Sequence, residues 1–236
     1  MRITVISDTH GKHNEITKDL PGGDLLLCSG DISGRGYQEE IKNFVKWFED
    51  QDYEEKIFIA GNHDFGFQDS YQKTMDLIGD YDVEYLQDNL VLYYPEQELY
   101  DLEVNYSDYI KIYGSPWQPE FCNWAFNLPR NGDRLKEKWN NISPDTDILL
   151  THGPSWGNLD IVKGRKENLG CELLQARINR IKPKIHICGH IHSGYGYKFE
   201  NGTHFFNASV LNEKYQYTQK PMTFDWNREI NEINFL

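Results

Sequence analysis

The chain has 236 residues, 39% hydrophobic and 14% aromatic, with a formal net charge of −13. That length and apolar content can bury a substantial core and exclude a disordered chain. The charge repels polyanions, which speaks against a long nucleic acid or an anionic membrane as partner.

From the start of the chain, Arg2–Ser7 reads as a buried strand beginning at residue 2, which leaves no room for a signal peptide, and Asp8-Thr9-His10 follows at once. Asp24–Ser29 is a second apolar run and ends in Gly30-Asp31. Ile41, Phe44, Val45 and Phe48 then fall at i, i+3, i+4 and i+7, one face of a helix. Lys56–Ala60 leads to Gly61-Asn62-His63-Asp64, and Gln68–Ile78 reads as a weaker helix. Short strands are expected around Val83–Leu86, Leu90–Tyr93 and Ile110–Tyr113. The acidic, Tyr-rich stretch 94–108 between the last two reads as an exposed loop or hairpin.

Arg130–Asn141 is a polar helix, and Asp147–Leu150 leads to Thr151-His152-Gly153. Cys171, Leu174, Ile178 and Ile181 form another helical stripe, ended before Pro183. Lys184–Cys188 leads to Gly189-His190-Ile191-His192, after which His204–Phe206 and Met222–Phe224 look like strands of a second sheet. Four widely spaced cysteines without a CxxC pair fit a reducing, cytoplasmic setting, and no apolar run reaches the length of a membrane span.

Five apolar runs thus end on a metal-binding type of residue. Strand ends are where open α/β sheets build their sites, so segments from residue 8 to residue 192 can converge. Asp8, His10, Asp31, Asn62, His152, His190 and His192 offer two carboxylates, a carboxamide and four imidazoles. That inventory exceeds one tetrahedral ion and suits two ions of higher coordination sharing a bridge. No Cys accompanies it, against a thiolate-rich structural zinc site. Mixed N/O donors suit Mn, Fe, Co, Ni or Zn. The i, i+2 spacing of Asp8 with His10, and of His190 with His192, points both members of each pair one way if the segment is extended. His13, His186 and His204 lack this context and read as ordinary histidines.

Together the five blocks resemble the signature of the calcineurin-like metallophosphoesterase superfamily. Gly114–Pro119, Trp124–Asn127, Thr151–Pro154, Ser193–Gly196 and Asn207–Ser209 further resemble its metallophosphoesterase-domain-containing branch, which includes small cyclic-nucleotide and phosphodiester hydrolases. The resemblance implies an α/β four-layer sandwich, two central mixed β-sheets flanked by helices, as a single domain over 1–236. It implies that Asp8, His10 and His192 hold one divalent ion, Asn62, His152 and His190 a second, and Asp31 both, with Mn²⁺ favoured. His63 would contact the phosphoryl group and assist the leaving oxygen during attack by a bridging hydroxide; Asp64 either orients His63 or is an exposed turn residue. Arg35 stands where the superfamily's protein phosphatases have a phosphate-contacting Arg, although Gly34 replaces the Asp that precedes it there.

Two cations, two carboxylates and a shared hydroxide leave one residual positive charge, which a diester neutralises and a monoester dianion overshoots. The charge count favours a diester, and the resemblance adds the expectation of a phosphodiesterase for small or cyclic nucleotides; the alternatives are a phosphomonoesterase or protein phosphatase, and a non-catalytic interaction scaffold. Trp117 and Trp156 are the aromatics singled out for stacking a base. No Lys/Arg-rich groove segment is apparent, which weighs against a nuclease.

Overall fold

The structure is a computed structural model, and residues 1–95 and 109–236 are described; most of the acidic stretch, 96–108, lies outside them. Two six-stranded mixed sheets form its centre. The first has the order β14-β13-β1-β2-β3-β4, where β1 (Arg2–Ile6), β2 (Gly23–Cys28), β3 (Tyr53–Phe58) and β4 (Glu84–Tyr85) run parallel. β13 (Met222–Asn227) and β14 (Glu232–Phe235) are added antiparallel beyond β1.

The second sheet has the order β11-β12-β10-β9-β6-β5. β12 (Thr203–Asn207), β10 (Ile185–Cys188), β9 (Ile148–Thr151) and β6 (Ile110–Ser115) run parallel between antiparallel edges β11 (Gly196–Glu200) and β5 (Asn89–Tyr93). A small pair, β7 (Gln118–Pro119) and β8 (Asn127–Leu128), stands apart.

Strand alternation explains the layering, because successive side chains face opposite sides of a sheet. Ile3, Val5, Leu25, Leu27, Ile57 and Ile59 of the first sheet pack against Ile110, Ile112, Ile148, Leu150, Ile185 and Ile187 of the second. The intervening Ile6, Leu26, Cys28 and Phe58 face outward, against Phe44, Val45 and Phe48 of α1 (Gln38–Glu49). On the far side, Leu149 and Phe205 pack against α4 (Asp133–Asn140) and α5 (Glu172–Ile181) through Leu135, Trp139, Leu174 and Ile178. The result is the expected α/β/β/α sandwich.

Two details differ from the sequence reading. The helix expected over Gln68–Ile78 is broken at Ser70 (φ −137°, ψ 39°) into α2 (Phe65–Asp69) and α3 (Tyr71–Ile78). The strands after His192 do not share a sheet: His204–Phe206 extend the second sheet beside β10, whereas Met222–Phe224 return to β1 in the first. Period-2 patterning marks a strand without naming its partner.

Candidate metal centre

The parallel strands carry the five motifs to one edge, and backbone hydrogen bonds lock the turns together. The amide of Asp8 donates to Gly30 O (2.9 Å), that of His10 to Asp31 O (3.0 Å) and that of Gly189 to His152 O (2.9 Å). The i, i+2 pairs do not converge in the extended form expected. Asp8, His10, Asp31 and His190 all sit in the left-handed region, with φ between 43° and 65°. Non-glycine residues adopt it at a cost, and clusters of them mark functional sites.

The donors meet in two lobes around Asp31. In one, His192 Nε2 lies 3.3 Å from Asp8 Oδ1, and His10 Nε2 lies 3.9 Å from it and 3.7 Å from Asp31 Oδ2. The Nε2 atoms of His10 and His192 face each other at 3.4 Å. In the other lobe His152 Nε2 is 3.4 Å from Asp31 Oδ2 and 3.0 Å from Asn62 Oδ1. The His190 ring stands edge-on to His152, 5.1 Å between centroids. All seven residues expected as ligands are therefore in this cluster.

The chemistry of these contacts fits cations. His152 Nδ1 donates to Ser29 O and His192 Nδ1 to Asn212 O, so in each neutral ring Nε2 carries a lone pair. With those rings neutral, lone pairs, carboxylate oxygens and a carboxamide oxygen would point at one another with no proton between them, an arrangement that bound cations would satisfy. Without cations the centre must take up protons. Burial alone would depress the pKa of His152, but Asp31 outweighs it and holds it up to about 9. His192 is likewise depressed by burial yet held up to about 9 by Asp8. Burial dominates at His10 and His190, each brought down to about 4. Asp8 is opposed by burial yet kept well below the usual carboxylate range, chiefly by His192. Its oxygens also accept from the His190 amide and from Ser209 Oγ (2.7 Å).

His63 shares a cluster of potential ligand atoms with His10 and Asp31. Its amide donates to Asp31 Oδ1 (2.8 Å), and its Nδ1 donates to Gly34 O (2.8 Å). The opposite nitrogen is left for the centre. Trp124 stacks on the ring at 4.1 Å and 24°, while the exposed Arg35 places its guanidinium 4.9 Å from the Trp124 ring.

Asp64 does not have the role expected of it. It is fully buried, and its carboxylate accepts from the amides of Gly61 (2.7 Å), Ile32 (3.2 Å) and Ser33 (3.0 Å) and from Ser33 Oγ (2.6 Å). It pins the turn after β2 to the turn after β3, and the ring of His63 is oriented by the Gly34 carbonyl instead.

Trp117 is also not a rim residue: its Nε1 donates to Asp88 (2.8 Å) and its ring lies beneath Lys138. Trp156 is exposed and lines neither cavity beside the centre. The aromatics at the centre are Trp124, Phe121, edge-on to His190 at 5.7 Å, and Tyr215, edge-on to His10 at 4.8 Å and to His192 at 5.4 Å. Trp124 opens the Trp124–Asn127 motif and Phe121 lies three residues before it; Tyr215 lies in no motif, so no sequence signal marked it. His13, His186 and His204 stand apart, respectively packed on Phe44 and Trp47, bonded to Thr151 Oγ1, and bonded to Tyr197 and Asn231.

Residues 1–194 match the family described as calcineurin-like phosphoesterase. Metallophosphoesterase domain-containing protein 1 of Homo sapiens is 40% identical over 239 residues, covering 95% of this chain and 70% of its own length. UPF0046 protein T07D4.2 of Caenorhabditis elegans is 37% identical, with 95% and 60% covered. Among solved structures, TT1561 of Thermus thermophilus superposes with a TM-score of 0.64 at 13% identity, covering 99% of this chain and 97% of that one.

Proposed function

This chain belongs to the calcineurin-like phosphoesterase family, and from that premise we propose that it is a phosphodiesterase of small or cyclic nucleotides. The family makes it a metal-dependent hydrolase of phosphoesters. Asp8, His10 and His192 would hold one divalent cation, Asn62, His152 and His190 the other, and Asp31 would serve both. The observation that supports this most is the set of nitrogen and oxygen donor atoms converging from either side of Asp31. Two cations bound there would supply the positive charge that polarises a phosphoryl oxygen and acidifies water.

The remaining roles belong to the protein. The Gly34 carbonyl fixes the His63 tautomer, and Trp124 fixes the plane of its ring. When protonated, His63 presents an N–H towards the centre and can donate to an oxygen that acquires charge as its bond to phosphorus breaks. Phe121 and Tyr215 border a cavity of about 380 Å³ that reaches His190 and His192. Its size lies within the about 300–1,000 Å³ of small-molecule sites, and its aromatic walls suit a nucleobase. Mn²⁺ is the cation favoured. Among the described residues no helix is long and apolar enough to cross a membrane, and four free thiols support a reducing, cytoplasmic setting.

The test is hydrolysis of bis(p-nitrophenyl) phosphate by Mn²⁺-loaded protein. Asp31→Asn is expected to lower kcat/KM by about a hundredfold or more; equal rates for the variant and the parent would sink the proposal. Exposed Arg35 near His63 favours a second reading as a monoesterase, which faster turnover of p-nitrophenyl phosphate than of the diester would establish.

A further inference from the structure

Beyond the cavity at the metal centre lies a second, of about 730 Å³. Val162, Arg165, Ser193 and Glu213 line both, so the two adjoin along one wall. The outer cavity gathers Lys163, Arg165 and Lys214, and among the described residues that line it Glu213 is the one carboxylate. In a chain of net charge −13 this local excess of cations opposes the field of the molecule. Composition concealed it, because Lys163 and Arg165 come from one loop and Lys214 from another.

Both walls are built onto the metal-binding motif. Ser193 Oγ accepts from the Lys163 amide (2.9 Å) and donates to Ile161 O (3.3 Å). The loop closes on itself through an antiparallel bridge between Ile161 and Asn168. The buried Asp160 holds its base, accepting from the amides of Gly157 (3.0 Å) and Gly170 (2.9 Å). On the facing wall Asn212 Oδ1 accepts from the amides of Lys214 (2.9 Å) and Gln216 (3.1 Å), and Asn212 O holds the His192 ring. The backbone that carries the three exposed cationic side chains is thus held in place relative to His192 and Ser193. Arg130, which lines the inner cavity, is spent elsewhere: it bonds Glu172 (2.8 Å) and the carbonyls of Leu169 and Gly170.

We propose that the outer cavity is a subsite for a second phosphate. The preferred substrates are then small phosphodiesters that carry a further terminal phosphate, as a 5′-phosphorylated dinucleotide does. This rests on the reading of the centre as a phosphodiesterase and narrows its substrate class. The uncharged remainder of the substrate lies against the aromatic inner cavity, while the terminal phosphate exchanges water for the Lys163, Arg165 and Lys214 side chains.

The test uses a dithymidine phosphodiester with and without a 5′-phosphate, titrated calorimetrically into Mn²⁺-loaded His63→Asn protein so that binding is read without turnover. The terminal phosphate is expected to tighten binding about tenfold, as two or three partly exposed ion pairs do, and added salt to erode the difference. In Lys163→Glu/Arg165→Glu protein on the same background the preference is expected to vanish. Equal affinities for the two dinucleotides, or a preference that survives the double substitution, overturns the subsite. If wild-type protein cleaves no diester, the phosphodiesterase reading fails on its own; a charge-dependent preference in the titration still upholds an anion subsite. If the diester is cleaved and the preference is absent, only the subsite fails.

Discussion

At the scale of single residues the donors were legible and their backbone was not. Asp8, His10, Asp31, Asn62, His152, His190 and His192 could be named because each follows an apolar run that must be a strand. The left-handed conformations at four of them are fixed by long-range hydrogen bonds that no local pattern contains. The same crowding makes glycine obligatory at two strand ends. A Cβ on Gly189 would collide with Ser7 Oγ and Asp8 Oδ2, and one on Gly61 with Asp31 Oδ1 and the Asp31 amide. Gly189→Ala should therefore displace the Asp8 carboxylate and weaken Mn²⁺ affinity by about tenfold or more while the protein still folds. Calorimetric metal titration beside a circular dichroism melt checks it, and undiminished affinity would show that the carboxylate adjusts freely. Trp124, Phe121 and Tyr215 escaped ranking because the role of an aromatic depends on what it faces, and Trp117, equally prominent in sequence, faces Asp88.

Between elements the informative residue is Asp64. Its position beside His63 suggested a part in the chemistry, yet it bonds backbone amides on the turns after β2 and β3. Burial, followed by the nearby Asp31 carboxylate, pushes its pKa up to about 7, so the interactions it accepts are what oppose protonation. Asp64→Ala would strand three buried amides and should cost roughly 3 kcal/mol, a Tm lower by about 6–12 °C. A thermal melt reads this directly. An unchanged Tm with a lowered kcat would return Asp64 to the catalytic group. The helices were read from their stripes with ends correct to a few residues, as with Ile41, Phe44, Val45 and Phe48 in α1. The break at Ser70 was not, because Gly66 and Thr74 meet there through a tertiary hydrogen bond, Thr74 Oγ1 to Gly66 O.

For the whole molecule, the layers followed from alternation, but the assignment of strands to sheets did not, since β13 pairs with a strand some 220 residues earlier. Burial also predicts how stability responds to pH. His13 packs between Phe44 and Trp47 and is brought down by burial from 6.5 to about 4. Between those values the unfolded chain binds a proton at His13 that the folded chain refuses, so this residue costs nothing above about pH 6.5 and lowers stability as pH drops towards 4. His13→Phe should flatten this dependence by up to about 3 kcal/mol, measured by urea unfolding at pH 7 and 4.5; equal slopes in both proteins would refute it. The pairing of β13 with β1 also has a consequence in time. As the chain leaves the ribosome, β1 emerges long before β13 and soon has β2 beside it, but its other edge stays bare until residues 222–227 follow. Asp8 hangs from that half-dressed strand, so the nascent chain already carries all seven candidate donors by residue 192 while the sheet beneath them is unfinished. Any cation these donors would hold is then expected to be retained only after β13 has closed the sheet.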